Sequence, residues 1–172
     1  NKTSNKTFLF VVNDRFKEHR TIELFEIKNG TSMTHLETFI HEPLISPNEI
    51  LGVGDREFYV TQDSRLGRGI AGRLGMIFNL KLGEVYHYNG NNWSLVLDGL
   101  NYANGLGLIK DEKVIYVAET LGKRINVFTR DFKTGSLIFN NSYPLNAGPD
   151  NINVDSNGNL WIAGIPNLVA MG

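Results

Sequence analysis

The 172-residue chain contains no cysteine, which excludes a disulfide framework, a thiolate metal site and a cysteine nucleophile. Its 17 basic and 18 acidic residues nearly cancel, so no electrostatic footprint marks it for nucleic acid or for an acidic membrane surface. No apolar run approaches the ~20 residues of a membrane-spanning helix. Neither a Gly-x-Ser-x-Gly elbow nor a P-loop pattern occurs, which sets aside serine-esterase and nucleotide chemistry. No signal peptide precedes Asn1 and no initiator Met opens the chain, so we expect a fragment or a processed piece. Histidine is scarce as well. His19 sits in a charged turn, His35 and His41 flank an apolar stretch beside Glu residues, and His87 alternates with Tyr86 and Tyr88; none has metal-ligand spacing.

What the chain does have is turn chemistry. Eighteen glycines and a scatter of Asn-Gly and Asn-Asn pairs, in a composition 41% apolar and 20% charged, fit an all-β domain able to bury one core. Asn-x-Ser/Thr acceptors stand at Asn1, Asn5, Asn29, Asn92 and Asn140, several of them at expected turns, which favours a glycoprotein of the secretory pathway.

Three times an Asn or Asp-Asn element opens a short strand, and an aromatic-bearing strand follows at nearly fixed distance. The units run from Asn48 to Tyr59, from Asn104 to Tyr116 and from Asn151 to Trp161. Extended outward, they predict four-stranded groups at 48–53, 58–62, 84–88 and 93–97, and at 104–109, 114–118, 124–128 and 136–142. Ahead of them lie strands at 8–12, 20–28 and 35–40 without a first member; behind them lie 150–155 and 159–163 without the outer two. Such units are the blades of a β-propeller. A sandwich with regular hairpins is the alternative. We therefore expect one domain over 1–172, a partial propeller of about three to four blades, unclosed and truncated at both ends.

The stretch 64–83 interrupts the second group. Its glycines weaken any helix there, yet Arg65, Arg68 and Arg73 alternate loosely with Leu66, Ile70, Leu74 and Ile77. It reads as a lid or a lipid-surface insertion over the channel mouth, or else as a decorated loop.

First strands of propeller blades line the central channel, so the residues at their starts converge from different blades. Asn48, Asn104, Asp150 and Asn151 stand at those starts. Amide oxygens with a carboxylate, and no Cys or His, describe a hard-cation site. Calcium takes ~6–8 oxygen ligands and suits the set better than magnesium or zinc. Taken singly, each Asn is equally a turn residue bonding backbone groups.

The succession Phe8-Leu-Phe-Val-Val-Asn13, Pro47-Asn-Glu-Ile-Leu-Gly-Val-Gly54, Phe58-Tyr-Val-Thr-Gln-Asp63, Tyr102-Ala-Asn-Gly105, Val114-Ile-Tyr-Val-Ala-Glu-Thr-Leu121 and Asp150-Asn-Ile-Asn-Val-Asp155 resembles the serum paraoxonase/arylesterase family. The resemblance runs from about residue 8 to the end and covers the middle of that family's six-bladed, two-calcium propeller. It implies a calcium-dependent hydrolase of aryl esters and lactones. It also places the catalytic-calcium ligands on Asn48, Asn104, Asp150 and Asn151. A family aspartate of the second, structural calcium falls on Glu49, and further acidic ligands fall before Asn1. Of the family's paired histidines, the first falls before Asn1 and the second falls on Asp14, here a candidate catalytic residue. Another histidine position near the pocket falls on Ile165. These departures keep a second reading open: a calcium-stabilised propeller that binds a ligand or protein partner without hydrolysing it. Asp63, at the end of a strand beside the insertion, is a candidate pocket residue or a turn carboxylate.

Overall fold

Within each sheet the strands pair in the order in which they follow along the chain, joined by short turns except where the insertion separates β5 from β6. The structure, a computed structural model, describes residues 6–14, 20–109 and 113–166; Asn1, Asn5, His19 and residues 110–112 lie outside them. Sheet one holds β1 (Thr7–Asn13), β2 (Thr21–Lys28) and β3 (Ser32–Ile40). Sheet two holds β4 (Pro47–Gly52), β5 (Phe58–Gln62), β6 (Gly83–Tyr88) and β7 (Trp93–Leu100). Sheet three holds β8 (Ala103–Leu108), β9 (Val114–Glu119), β10 (Arg124–Arg130) and β11 (Leu137–Pro144), and sheet four holds β12 (Gly148–Val154) and β13 (Leu160–Ile165). Every pairing is antiparallel. The expected strands are present, the expected groups are the sheets, and among the described residues the sheets do not close into a ring.

Alternation along each strand sends successive side chains to opposite faces, and here each face packs on a different neighbour. Phe58 and Val60 of β5, with Tyr86 and Tyr88 of β6, meet Ile22, Leu24 and Phe39 of sheet one. Tyr59 and Val85, from the same two strands, point the other way, onto Leu106, Ile115, Val117 and Phe128 of sheet three. On the far side of sheet three, Ala118 and Ile125 pack with Ile152 of sheet four. Polar groups join the stack too. Tyr59 Oη donates to the Gly135 carbonyl at 2.7 Å, and Arg130 Nη2 donates to Glu57 Oε1 at 2.6 Å, clasping sheet two to sheet three.

The expected Asn-Gly hairpin joins β6 to β7. Asn89 Oδ1 accepts the backbone N–H groups of Asn91 and Asn92, while Gly90 takes φ +92°.

The insertion departs from its expected weakness as a helix. Ile70–Ile77 forms α1, and the glycines that lower its propensity are the residues it buries, Gly72 and Gly75. A Cβ at Gly72 would run into the Gly67 carbonyl, and one at Gly75 into the Leu82 side chain. The glycines therefore let the helix lie against its own loop. Its apolar stripe, Ile70, Leu74, Ile77 and Phe78, is left exposed, with Ile70 82% and Phe78 70% accessible. The arginines divide. Arg65 faces Glu84 at 3.9 Å, Arg73 is exposed, and Arg68, exposed as well, reaches the buried Asp63 through Nε at 2.8 Å.

Candidate metal centre

Each inner strand carries a bulge at its start, and each bulge carries the residues picked out by the repeat. Pro47 pairs with Gln62 and Ile50 with Val60, so Asn48 and Glu49 stand opposite the single residue Thr61. Ala103 pairs with Glu119 and Leu106 with Val117, so Asn104 and Gly105 share Ala118. Pro149 pairs with Gly164 and Ile152 with Ile162, so Asp150 and Asn151 share Ala163. A bulge puts two residues against one and re-aims side chains out of the ladder. The bulges of neighbouring sheets bring the Asn104 amide to Asp150, and Asp150 near Glu49; among the described residues no such contact joins Asn48 or Asn151 to them.

Buried hydroxyls hold the bulges together. Thr61 Oγ1 donates to the Asn104 carbonyl at 2.8 Å and accepts the Glu49 N–H at 3.0 Å. Thr120 Oγ1 donates to the Pro149 carbonyl at 2.7 Å. Gly105 lets β12 approach: a Cβ there would meet the Asp150 carbonyl and lie 2.7 Å from the Ile152 nitrogen.

The Asn104 amide is fully oriented. Its Nδ2 donates to Asp150 Oδ1 at 2.7 Å and to Thr120 Oγ1 at 3.1 Å. That uses both N–H groups, and Oδ1 remains buried with no partner. A buried acceptor left unmet costs about 1–3 kcal/mol, so its placement calls for a partner from outside the chain. Glu49 gives a second sign: burial, and then the charge of Asp150, push its carboxyl above the ordinary range. Two approaching carboxylates with an orphaned amide oxygen, and no nitrogen or sulfur donor, fit a hard divalent cation such as calcium. Among the described residues no three Asp, Glu or His side chains cluster, so such a cation would rest on amides as much as on carboxylates. Asn48 is half-buried and Asn151 exposed at their bulges.

Asp14 stands apart from this group, just beyond β1. Its Oδ1 accepts from Arg20 Nε and its Oδ2 from Arg68 Nη1, each at 2.6 Å. Arg68 also donates through Nε to Asp63 Oδ2 at 2.8 Å and through Nη2 to the Pro47 carbonyl at 3.1 Å. Burial opposes its charge, but Asp63 and Asp14 outweigh it and raise its pKa. Ile165 ends β13 and pairs with Gly148 at the start of β12, on the level of the bulges. Asp63 is buried and lines a cavity beneath the insertion, together with Arg68 and Tyr102. Burial first, then Asp63, raise the Tyr102 phenol.

Arg68, Thr61, Thr120 and Gly105 lie within stretches that the sequence singles out, but nothing there assigned them these positioning roles. Their roles depend on pairing register and on contacts such as Arg68 to Asp14, 54 positions apart.

The family model described as arylesterase matches residues 1–171. Human serum paraoxonase/arylesterase 2 is 34% identical over 163 residues, which cover 93% of this chain and 45% of the relative. The chain thus spans about half the length of the curated relatives it matches. Among solved structures, a regucalcin from Agrobacterium tumefaciens, described as a calcium-binding protein, superposes with a TM-score of 0.56 at 16% identity, over 89% of this chain and 52% of its own. A gluconolactonase from Xanthomonas campestris does so with 0.55 at 21% identity, over 84% and 52%. At those identities they establish the propeller-type fold and no more. The match along nearly the whole chain and the identity to the human relative settle the remaining point: the chain belongs to the arylesterase family.

Proposed function

We propose that the protein hydrolyses aryl esters and lactones at a calcium ion held by Asn48, Asn104, Asp150 and Asn151, with Glu49 serving a second calcium. The observation that carries this reading is the buried, partnerless Asn104 Oδ1, on the amide that bonds Asp150. Family membership supports it. Calcium, when bound, supplies Lewis-acid polarisation of the ester carbonyl and charge stabilisation at its oxygen. The chain's own residues orient. Thr120 and Asp150 fix the Asn104 amide, and Thr61 ties its backbone to the Glu49 bulge. Asp14 takes part by holding Arg68 of the insertion; both its oxygens accept guanidinium donors, so neither is poised to take a proton from water.

Hydrolysis of phenyl acetate and γ-butyrolactone by the full-length protein, with calcium and after chelation, tests the proposal. Turnover lost on chelation and restored by calcium is expected. The ion-paired state of Asp14 favours one rival, a binding propeller without catalysis, and a folded, calcium-binding protein with no turnover would establish it.

We further propose that α1 meets a lipid surface. Its exposed Ile70, Leu74, Ile77 and Phe78 form one apolar stripe beside Arg73. Co-flotation with phosphatidylcholine vesicles should be lost in Ile77→Asp/Phe78→Asp; equal flotation of both proteins would contradict the role. No helix among the described residues is long and apolar enough to cross a membrane. The acceptors Asn29, Asn92 and Asn140 are exposed, which supports a glycosylated protein of the secretory pathway.

A further inference from the structure

Strands β3, β7 and β11 each end a sheet, so one side of each backbone has no strand beside it among the described residues. Such an edge is a template for pairing with another chain. Apolar side chains stand exposed along all three: Met33 and Ile40 on β3, Leu95 on β7, and Ile138, Phe139 and Tyr143 on β11, each 50–62% accessible. Charge guards two of the edges, through Glu37 on β3 and Asp98 on β7. Strand β11, Leu-Ile-Phe-Asn-Asn-Ser-Tyr-Pro, has no charged residue, and its one proline stands at the last position.

The same three strands carry the glycan acceptors. Asn29-Gly30-Thr31 leads into β3, Asn92-Trp93-Ser94 opens β7, and Asn140-Asn141-Ser142 lies within β11; no other Asn-x-Ser/Thr tripeptide falls in the described residues. Each outer strand thus has one acceptor, and the inner strands and the insertion have none. Asn140 is set for display. Val127 pairs with Asn141 and Phe128 with Phe139, so Asn140 is the extra residue of a bulge, left out of the ladder. It is exposed, and its Nδ2 donates to Thr129 Oγ1 at 2.8 Å. That bond uses one of the two amide hydrogens and leaves the other to be exchanged for a sugar.

We propose that Asn140 carries an N-linked glycan that covers the open edge of β11 and keeps it from pairing with β11 of a second copy. The inference rests on the secretory-pathway reading above. In the transfer, an Nδ2–H bond of Asn140 breaks and an Nδ2–C1 bond forms to the anomeric carbon of a lipid-pyrophosphate-linked oligosaccharide. The lipid pyrophosphate leaves with the electrons of the C1–O bond, and the amide proton passes to solvent. A bulky, hydrated glycan at the middle of the strand bars a second backbone from the ladder. Without it, two β11 edges can meet antiparallel about a two-fold axis and continue sheet three into another molecule.

The test begins with the full-length protein expressed in animal cells and treated with peptide N-glycosidase F, which converts a glycosylated Asn to Asp; mass spectrometry of the peptides reads each position. Conversion at Asn140 is expected. No conversion there, with Asn29 or Asn92 converted, overturns the inference and leaves the secretory-pathway reading intact; conversion at none of the three overturns both. Light scattering then reads the polypeptide mass in solution. Ser142→Ala removes the acceptor tripeptide while keeping Asn140, and its mass should rise at least about two-fold over that of the wild type. Adding Ile138→Lys, which puts a charge on the same edge, should restore the wild-type mass. An unchanged mass in Ser142→Ala, or a rise that Ile138→Lys does not reverse, overturns the role of the glycan. If Ser142→Ala fails to fold, the wild type and Ile138→Lys, deglycosylated in their native state, decide by the same measurement.

Discussion

At Asn104 two hydrogen bonds determine which end of an amide faces the channel. Thr120 spends its own O–H on the Pro149 carbonyl, so toward Asn104 it can only accept, and Asp150 likewise accepts. The amide nitrogen is consumed and the oxygen is delivered. Glu23 shows the opposite arrangement, a carboxylate whose needs are met inside the protein. Burial alone would raise its pKa, but donors from Thr21, Thr38, His35 and Asn13 outweigh that and lower it to about 2. A carboxyl lowered on folding adds stability above its ordinary value of 4.5, and that stability is lost as pH falls toward about 2. Glu23→Gln should therefore flatten the acid limb of the stability curve and cost on the order of 1–2 kcal/mol at neutral pH, discounted for solvent around a surface carboxylate. Urea midpoints at pH 3 and pH 7 measure this; an unchanged difference between them would refute it. The Asn residues at the strand starts were legible because their recurrence is a property of the chain. The duties of Thr120 and Arg68 were not, since each depends on a neighbour that only folding supplies.

Among elements, the bulged inner strands and the helix diverge most from what composition suggests. Hydrophobic alternation and Asn-Gly turns located every strand to within a few residues. The bulges left no such trace, because a register shift is a relation between two strands and neither strand's pattern contains it. Helix α1 was obscured by its glycines, whose low propensity is outweighed by the close contact they permit with Gly67 and Leu82. Gly105 works the same way between β8 and β12, and it yields a sharp expectation. Gly105→Ala places a methyl group against the Asp150 carbonyl and the Ile152 nitrogen, backbone atoms that cannot swing aside. It should cost about 1–3 kcal/mol in stability and weaken calcium binding by spreading Asn104 from Asp150. A urea midpoint equal to that of the wild type would show that β12 does not lie so close.

In the whole molecule, sheets stack face to face so that one strand, β5, feeds two cores, and the Thr61 and Thr120 hydroxyls tie the three bulged strand starts together. The propeller reading came from the repeat, and the stacking of successive sheets bears it out. The departures of Asp14 and Ile165 from the family pattern were visible in the chain. The insertion's clamp onto Asp14 through Arg68 was not, because it joins segments from different sheets. If the bulges build a calcium site, Asn104 is its most firmly oriented ligand. Calorimetric titration of the full-length protein with calcium, alongside Asn104→Ala, tests it most directly. The wild type should bind calcium, and the variant about ten-fold or more weakly, with the variant still folded by circular dichroism. Calcium binding of equal strength in both proteins, or none in the wild type, would contradict it.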